Sequence, residues 1–94
     1  MQFIWDPEKS EANLKERGFD FEFATLIFSG PTLEKKDLRK DYGELRVIAV
    51  GLAQNVALTV VYTDRELESR EIVRRIISSR RSSRRERNGY ENAF

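Results

Sequence analysis

The sequence predicts an α+β layer fold: an antiparallel β-sheet with two N-terminal helices packed on it and a short C-terminal helix. Three observations predict it. Two capped helical stretches come before Gly30. Two long β-branched runs joined by Gln54-Asn55 come next. A third such run, Glu71 to Ser79, hands over to a Ser-x-x-Glu pattern, Ser83 to Glu86, that opens a last helix. The predicted order is β-α-α-β-β-β-β-α in a single domain spanning residues 1–94, with no internal repeat and no linker.

Phe3-Ile4-Trp5 is a short apolar run and reads as a first strand. It ends at Asp6-Pro7, where Asp6 suits the N-cap and Pro7 the first helical position, and Glu8 favours the positive helix end. The helix runs to about Arg17 and closes at Gly18. Lys9, Asn13 and Arg17 fall four apart on one face, either a solvated polar stripe or the wall of a site. Asp20 caps a second helix. Its Phe21, Phe23, Ala24, Leu26, Ile27 and Phe28 cover most of the circumference, which predicts burial as core and not a stacking platform. Gly30-Pro31 ends it.

Thr32 to Lys36 reads as a weak edge strand in a charged stretch that turns at Asp41-Tyr42-Gly43. Leu45 to Ala53 and Val56 to Thr63 are apolar on both faces and so predict central strands; the Asn of Gln54-Asn55 tolerates the positive φ of a tight hairpin. Asp64 to Ser69 reads as a turn. In the next strand strict alternation puts Ile72, Arg74, Ile76 and Ser78 on one face and Val73, Arg75, Ile77 and Ser79 on the other.

Charge is unevenly spread. The net charge is only +1, yet the stretch from Arg70 to Arg87 holds eight arginines against two acidic residues, a local charge of +6. Arginine presents a planar fork that binds a phosphate through two hydrogen bonds, so the asymmetry points to a polyanionic partner. The plainer alternative, solvated arginines balancing an acidic remainder, accounts for Arg84, Arg85 and Arg87 but poorly for Arg75 inside an apolar run.

The chain has no cysteine and no histidine. That excludes disulfides, thiolate metal sites, the usual zinc hydrolases and Ser-His-Asp catalysis. Any chemistry must run on Arg, Lys, Asp, Glu, Tyr, Ser or Thr, and neither a cofactor nor a metal is expected. No apolar run approaches the roughly 18 residues of a membrane span, and MQFIWDPEKS has no basic and apolar leader, so a cytoplasmic protein is expected.

In order and spacing the chain resembles the BrnT family of bacterial toxins. The residues that carry the resemblance begin with Trp5-Asp6-x-x-Lys9-x-x-x-Asn13, Gly18, Phe21 and Ala24. They continue with Asp37-x-Arg39-x-Asp41-Tyr42-Gly43-Glu44-x-Arg46 and Val60-Val61-Tyr62-Thr63. Arg75-Ile76-Ile77-Ser78-Ser79-Arg80, Arg84-Arg85-Glu86-Arg87 and Tyr90 complete the set. Where the family usually reads Lys-His-Gly, this chain has Glu16-Arg17-Gly18, which raises the question of whether Arg17 takes over from the histidine.

The resemblance implies a RelE-like fold and the toxin half of a type II toxin–antitoxin pair, a metal-independent ribonuclease that inhibits translation. It implies RNA or ribosome-bound mRNA as target and a cognate antitoxin of ribbon-helix-helix type as partner, with operator DNA bound only through the antitoxin complex and no membrane. By the same resemblance Arg75 and Arg80 stand at the scissile phosphate, Arg65 is a second clamp, Tyr90 an acid or base, and Glu44 and Lys9 are further candidates for proton transfer. Arg74, Arg81, Arg84 and Arg85 are then expected to bind flanking RNA or antitoxin. A rival of another class is a non-enzymatic module that holds nucleic acid or an acidic peptide on its basic corner.

Overall fold

In the computed structural model, which describes residues 1–94, five strands form one sheet. They are β1 (Gln2–Trp5), β2 (Leu33–Lys36), β3 (Val47–Ala53), β4 (Val56–Glu66) and β5 (Ile72–Arg81), in the spatial order β1-β5-β4-β3-β2. From β2 to β5 the strands form an antiparallel meander, but β1 pairs in parallel with β5, Ile4 opposite Arg75. The sheet is therefore mixed, not antiparallel as expected. The two N-terminal helices form a crossover that returns the chain to the far edge, leaving the first strand beside the last. There Phe3 and Trp5 pack against the core, with Phe3 stacked on Phe28 at 5.6 Å between ring centroids.

Helix α1 (Pro7–Arg17) starts as the sequence predicts: the Asp6 carboxylate accepts from the Glu8 amide at 2.9 Å. It ends at Gly18, whose positive φ of 85° lets its amide donate to the Leu14 carbonyl at 3.0 Å. Its buried residues are polar. Ser10 Oγ accepts from the Phe21 amide and Asn13 Nδ2 donates to the Phe19 carbonyl, each at 2.9 Å, so hydrogen bonds and not an apolar stripe dock the helix. Arg17 donates to Asn13 Oδ1 at 3.0 Å and to the Ser79 carbonyl at 3.1 Å, which ties the helix end to β5.

The second helix is shorter than expected. Helix α2 (Phe21–Ala24) is one turn, and Thr25–Ser29 continues as a 3-10 helix. Side chains three apart share a face in the α-turn and eclipse in the 3-10 helix, so Phe21, Ala24 and Ile27 point together into the sheet and are buried. The approach is close: a Cβ on Gly51 would lie 2.9 Å from the Ile27 Cβ. With Phe19 they cover Ala49, Ala53, Leu58, Val60, Tyr62 and Ile76, which form the core on this side of the sheet.

Two further corrections concern β4 and β5. Asp64, expected in a turn, extends β4 and faces Arg74 across the ladder. Tyr62 pairs with Ile76 and Val61 with Ser78, so Ile77 has no partner and forms a β-bulge. The bulge resets the alternation. Arg74, Ile76, Ser79 and Arg81 face the helices opposite Asp64, Tyr62, Val60 and Leu58, whereas Arg75, Ser78 and Arg80 face away opposite Thr63, Val61 and Thr59. Helix α3 (Arg84–Ala93) opens with a complete capping box, Ser83 Oγ accepting from the Glu86 amide at 3.2 Å and Glu86 Oε1 from the Ser83 amide at 2.8 Å.

Candidate functional site

The face of the sheet turned away from α1 and α2 is covered at one end by α3 and open at the other. Leu33, Ile48 and Val50 flank Glu86 and Gly89 in a groove beside α3, and Tyr90 sits by Leu52 and Ala57. At the open end, where β3 begins, charged side chains gather around Glu44. Arg46 Nε donates to Glu44 Oε2 at 3.0 Å and Arg75 Nη2 donates to the same oxygen at 3.1 Å. Arg46 also lies over the Tyr42 ring, 4.0 Å from its centroid, with Lys40 5.1 Å from the same ring. Arg46 and Arg75 join Asp6, Lys9, Ile76 and Ile77 around a shallow pocket of about 130 Å³.

Local sequence sets this geometry. Gly43 takes a positive φ of 71° and its amide donates to Asp41 Oδ1 at 2.9 Å, turning the chain ahead of Glu44. Thr63 Oγ1 then donates to the Leu45 carbonyl at 2.7 Å, and the Asp37 amide donates to the Arg46 carbonyl at 2.8 Å. Glu44 and Arg46 are thereby fixed beside β4, while Arg75 comes from the strand beyond it.

The Glu44 carboxyl is held below the usual carboxylate range, first by the hydrogen bond from Arg46 and then by the charges of Arg75, Arg46 and Arg65, with desolvation opposing them. It is ionised at neutral pH, which makes it a poor proton donor. A second pair lies further along the same face: Arg80 Nη1 and Nη2 donate to Glu86 Oε1 and Oε2 at 2.7 and 2.9 Å. That fork, with the Ser83 amide, pushes the Glu86 carboxyl down to about 2. Arg39 grips Asp37 at 2.7 and 2.8 Å and is near enough for its positive charge to act on Arg80.

The structure thus brings Arg75 and Arg65 to Glu44 and places Lys9 in the pocket that Arg46 and Arg75 line. Arg80 shares their face but has its own carboxylate. Tyr90 stands apart: its hydroxyl donates to the Pro31 carbonyl at 2.7 Å at the far end of β3, roughly 20 Å from Glu44 at ~3.3 Å per residue. Arg74 lies on the helix side, forked onto Asp64 at 2.8 and 2.9 Å and over the rings of Tyr62 and Phe28 at 3.9 and 4.7 Å. Arg81 is also on that side, beside Phe19 and Phe23. Arg84 and Arg85 are exposed in the first turn of α3, Arg85 at the rim of the groove over Leu33. Arg17, which the resemblance raised as a stand-in for a histidine, holds α1 to β5 on the helix side and is not part of the group. Of the polar stripe on α1, Asn13 is a buried structural tie and only Lys9 lines the pocket.

Sequence reasoning assigned no role to Arg46, Tyr42 or Arg39, although all three fall in the Asp37-to-Arg46 motif. Their signal was the density of alternating acids and arginines there. The Arg70–Arg87 segment is also less bare than its local charge suggests, because Arg74, Arg75 and Arg80 each hold a carboxylate.

A family model described as "Ribonuclease toxin, BrnT, of type II toxin-antitoxin system" matches residues 5–86, a span that includes every member of the Glu44 group and ends short of Tyr90. A comparison with curated proteins finds no match. With the match covering most of its length, the chain belongs to the BrnT family of ribonuclease toxins of type II toxin–antitoxin systems.

Proposed function

We propose that the protein is a metal-independent endoribonuclease of RelE-like fold that cuts RNA at the open end of the sheet and so inhibits translation. One observation carries this reading: Arg46 and Arg75 converge on a single oxygen of Glu44 with Arg65 close by, so that three arginines surround one anion on an open face, and Lys9 lines the pocket beside Arg46 and Arg75. RNA carries its own nucleophile, the 2′-hydroxyl. An enzyme need only align it, take its proton, stabilise the charge on the pentavalent phosphorus and protonate the departing 5′-oxygen. Arg75, with Arg65 and Arg46, supplies the charge stabilisation.

Glu44 is the candidate base. Held below its usual range it is a weak one, and an incoming phosphate that draws the arginines away would return basicity to it. Lys9 is the candidate donor to the 5′-oxygen. Arg80 binds a neighbouring phosphate, and Arg84 and Arg85 hold flanking RNA or antitoxin. A type II toxin is one half of a pair, so an antitoxin is its partner. We propose a ribbon-helix-helix protein whose complex with the toxin binds operator DNA, with RNA or ribosome-bound mRNA as the target in the cytoplasm.

The test is RNA cleavage by the purified protein in the presence of a chelator, with and without ribosomes. Cleavage should persist, leave a 2′,3′-cyclic phosphate, and vanish in Arg75→Ala with the circular dichroism unchanged. Tight RNA binding with no cleavage under either condition would make the protein a binding module instead.

A further inference from the structure

We infer that the open face of the sheet carries two separate phosphate subsites, each filled by one of the protein's own carboxylates, and that the ligand fitting both is one strand of RNA long enough to displace the two together. This rests on the reading of the face as an RNA site and extends it to the length of strand required.

The first subsite is the oxygen of Glu44 that Arg46 and Arg75 share; the second is the Glu86 carboxylate forked by Arg80. Neither carboxylate accepts from the arginine of the other subsite. The ladder fixes their separation: Arg75 lies opposite Thr63 and Arg80 opposite Thr59, four residues apart on β4, or roughly 13 Å at ~3.3 Å per residue. That is about the axial length of four stacked nucleotide steps at ~3.4 Å each, and of fewer if the strand is stretched. One phosphate cannot occupy both positions as they stand.

A carboxylate and a phosphodiester present arginine with the same paired oxygens and the same single negative charge. Exchanging one for the other therefore gains little at a single, partly exposed subsite. The gain comes from linkage. Once a strand has displaced Glu44, its next phosphates are held near Arg80 at high effective concentration, so the second exchange is intramolecular. Tyr42 favours nucleic acid over an acidic peptide as the occupant. Its ring lies beneath Arg46 at the edge of the first subsite, and an aromatic beside a guanidinium is a stacking platform for a base.

The experiment measures binding of uncleavable 2′-deoxy strands, from dinucleotide to octanucleotide, to the full chain across a salt series. It compares wild type with Glu44→Gln and Glu86→Gln. Glutamine still completes a capping box, so Glu86→Gln keeps α3 in place. Affinity should rise by about tenfold or more over a narrow interval between about four nucleotides, for a stretched strand, and about six, for a stacked one. There the dependence of log K on log salt should steepen by about 0.7 for each phosphate added. Glu44→Gln and Glu86→Gln should each tighten strands past the step, where both subsites are engaged. A smooth rise with length would reduce the face to one subsite and overturn the proposal. A polyglutamate peptide binding as tightly as the octanucleotide would overturn the choice of occupant. Because these strands cannot be cut, a length step without RNA cleavage would count against the ribonuclease reading alone, and cleavage without a step against the two subsites alone.

Discussion

Arg75 and Arg80 stand an odd number of residues apart on β5 and yet share one face of the sheet, because Ile77 between them has no partner on β4. In an unbroken strand an odd separation sends two side chains to opposite faces. One extra residue therefore moves Arg80 from the helix side to the side that carries Glu44, and at the same time moves Ser79 under the helices. The bulge decides which arginines can act on a common ligand.

Deleting Ile77 should leave a regular ladder with both pairings intact, since Ile76 and Ser78 already face the adjacent residues Tyr62 and Val61. The expected result is a folded protein in which cross-strand NMR contacts from Arg75 to Thr63 and from Arg80 to Thr59 survive. Retention of the Arg75 contact with loss of the Arg80 contact would mean that the strand had slipped and that the bulge does not set the face.

Acid should loosen the start of α3. Glu86 titrates at about 2 in the folded protein against 4.5 ordinarily, so the unfolded chain takes up its proton first. The stability it contributes is complete above about 4.5 and is lost as the pH falls toward about 2. Glu44 is shifted in the same direction and adds to the same window. Hydrogen exchange of α3 amides should quicken over that range in wild type and change less in Glu86→Gln, which has no charge to lose there. Equal acid sensitivity in the two proteins would show that the Arg80–Glu86 fork contributes nothing to holding the helix.

Arg74 should behave as a structural residue. It is forked onto Asp64 and lies over Tyr62 and Phe28, with 15% of its side chain exposed. Arg74→Ala should lower unfolding free energy by about 2 kcal/mol, from a charge-assisted bidentate pair and cation–π contacts. The salt dependence of oligonucleotide binding should stay the same. Urea titration measures the first and the salt series the second; a folded variant of wild-type stability with a shallower salt slope would return Arg74 to the binding surface.

Wherever the signal lay within a few residues, the sequence was sufficient. Asp6-Pro7, Gly18, the Gln54-Asn55 hairpin and the Ser83–Glu86 box all appear as their chemistry demands, because each satisfies backbone groups by reaching two to four residues along the chain. The predominance of apolar residues in the two runs around Gln54-Asn55 likewise marked β3 and β4 as interior strands. What the tertiary structure alone decided was non-local. The parallel pairing of β1 with β5 depends on where a crossover lands. The 3-10 turn depends on how closely Ile27 must approach Gly51. The sharing of one face by Arg75 and Arg80 depends on a bulge that periodicity cannot register, since an unpaired residue is defined only by the strand beside it. The same holds for charge: the sequence counts arginines, but only contact shows that Glu44, Asp64 and Glu86, distant or offset along the chain, already occupy three of them.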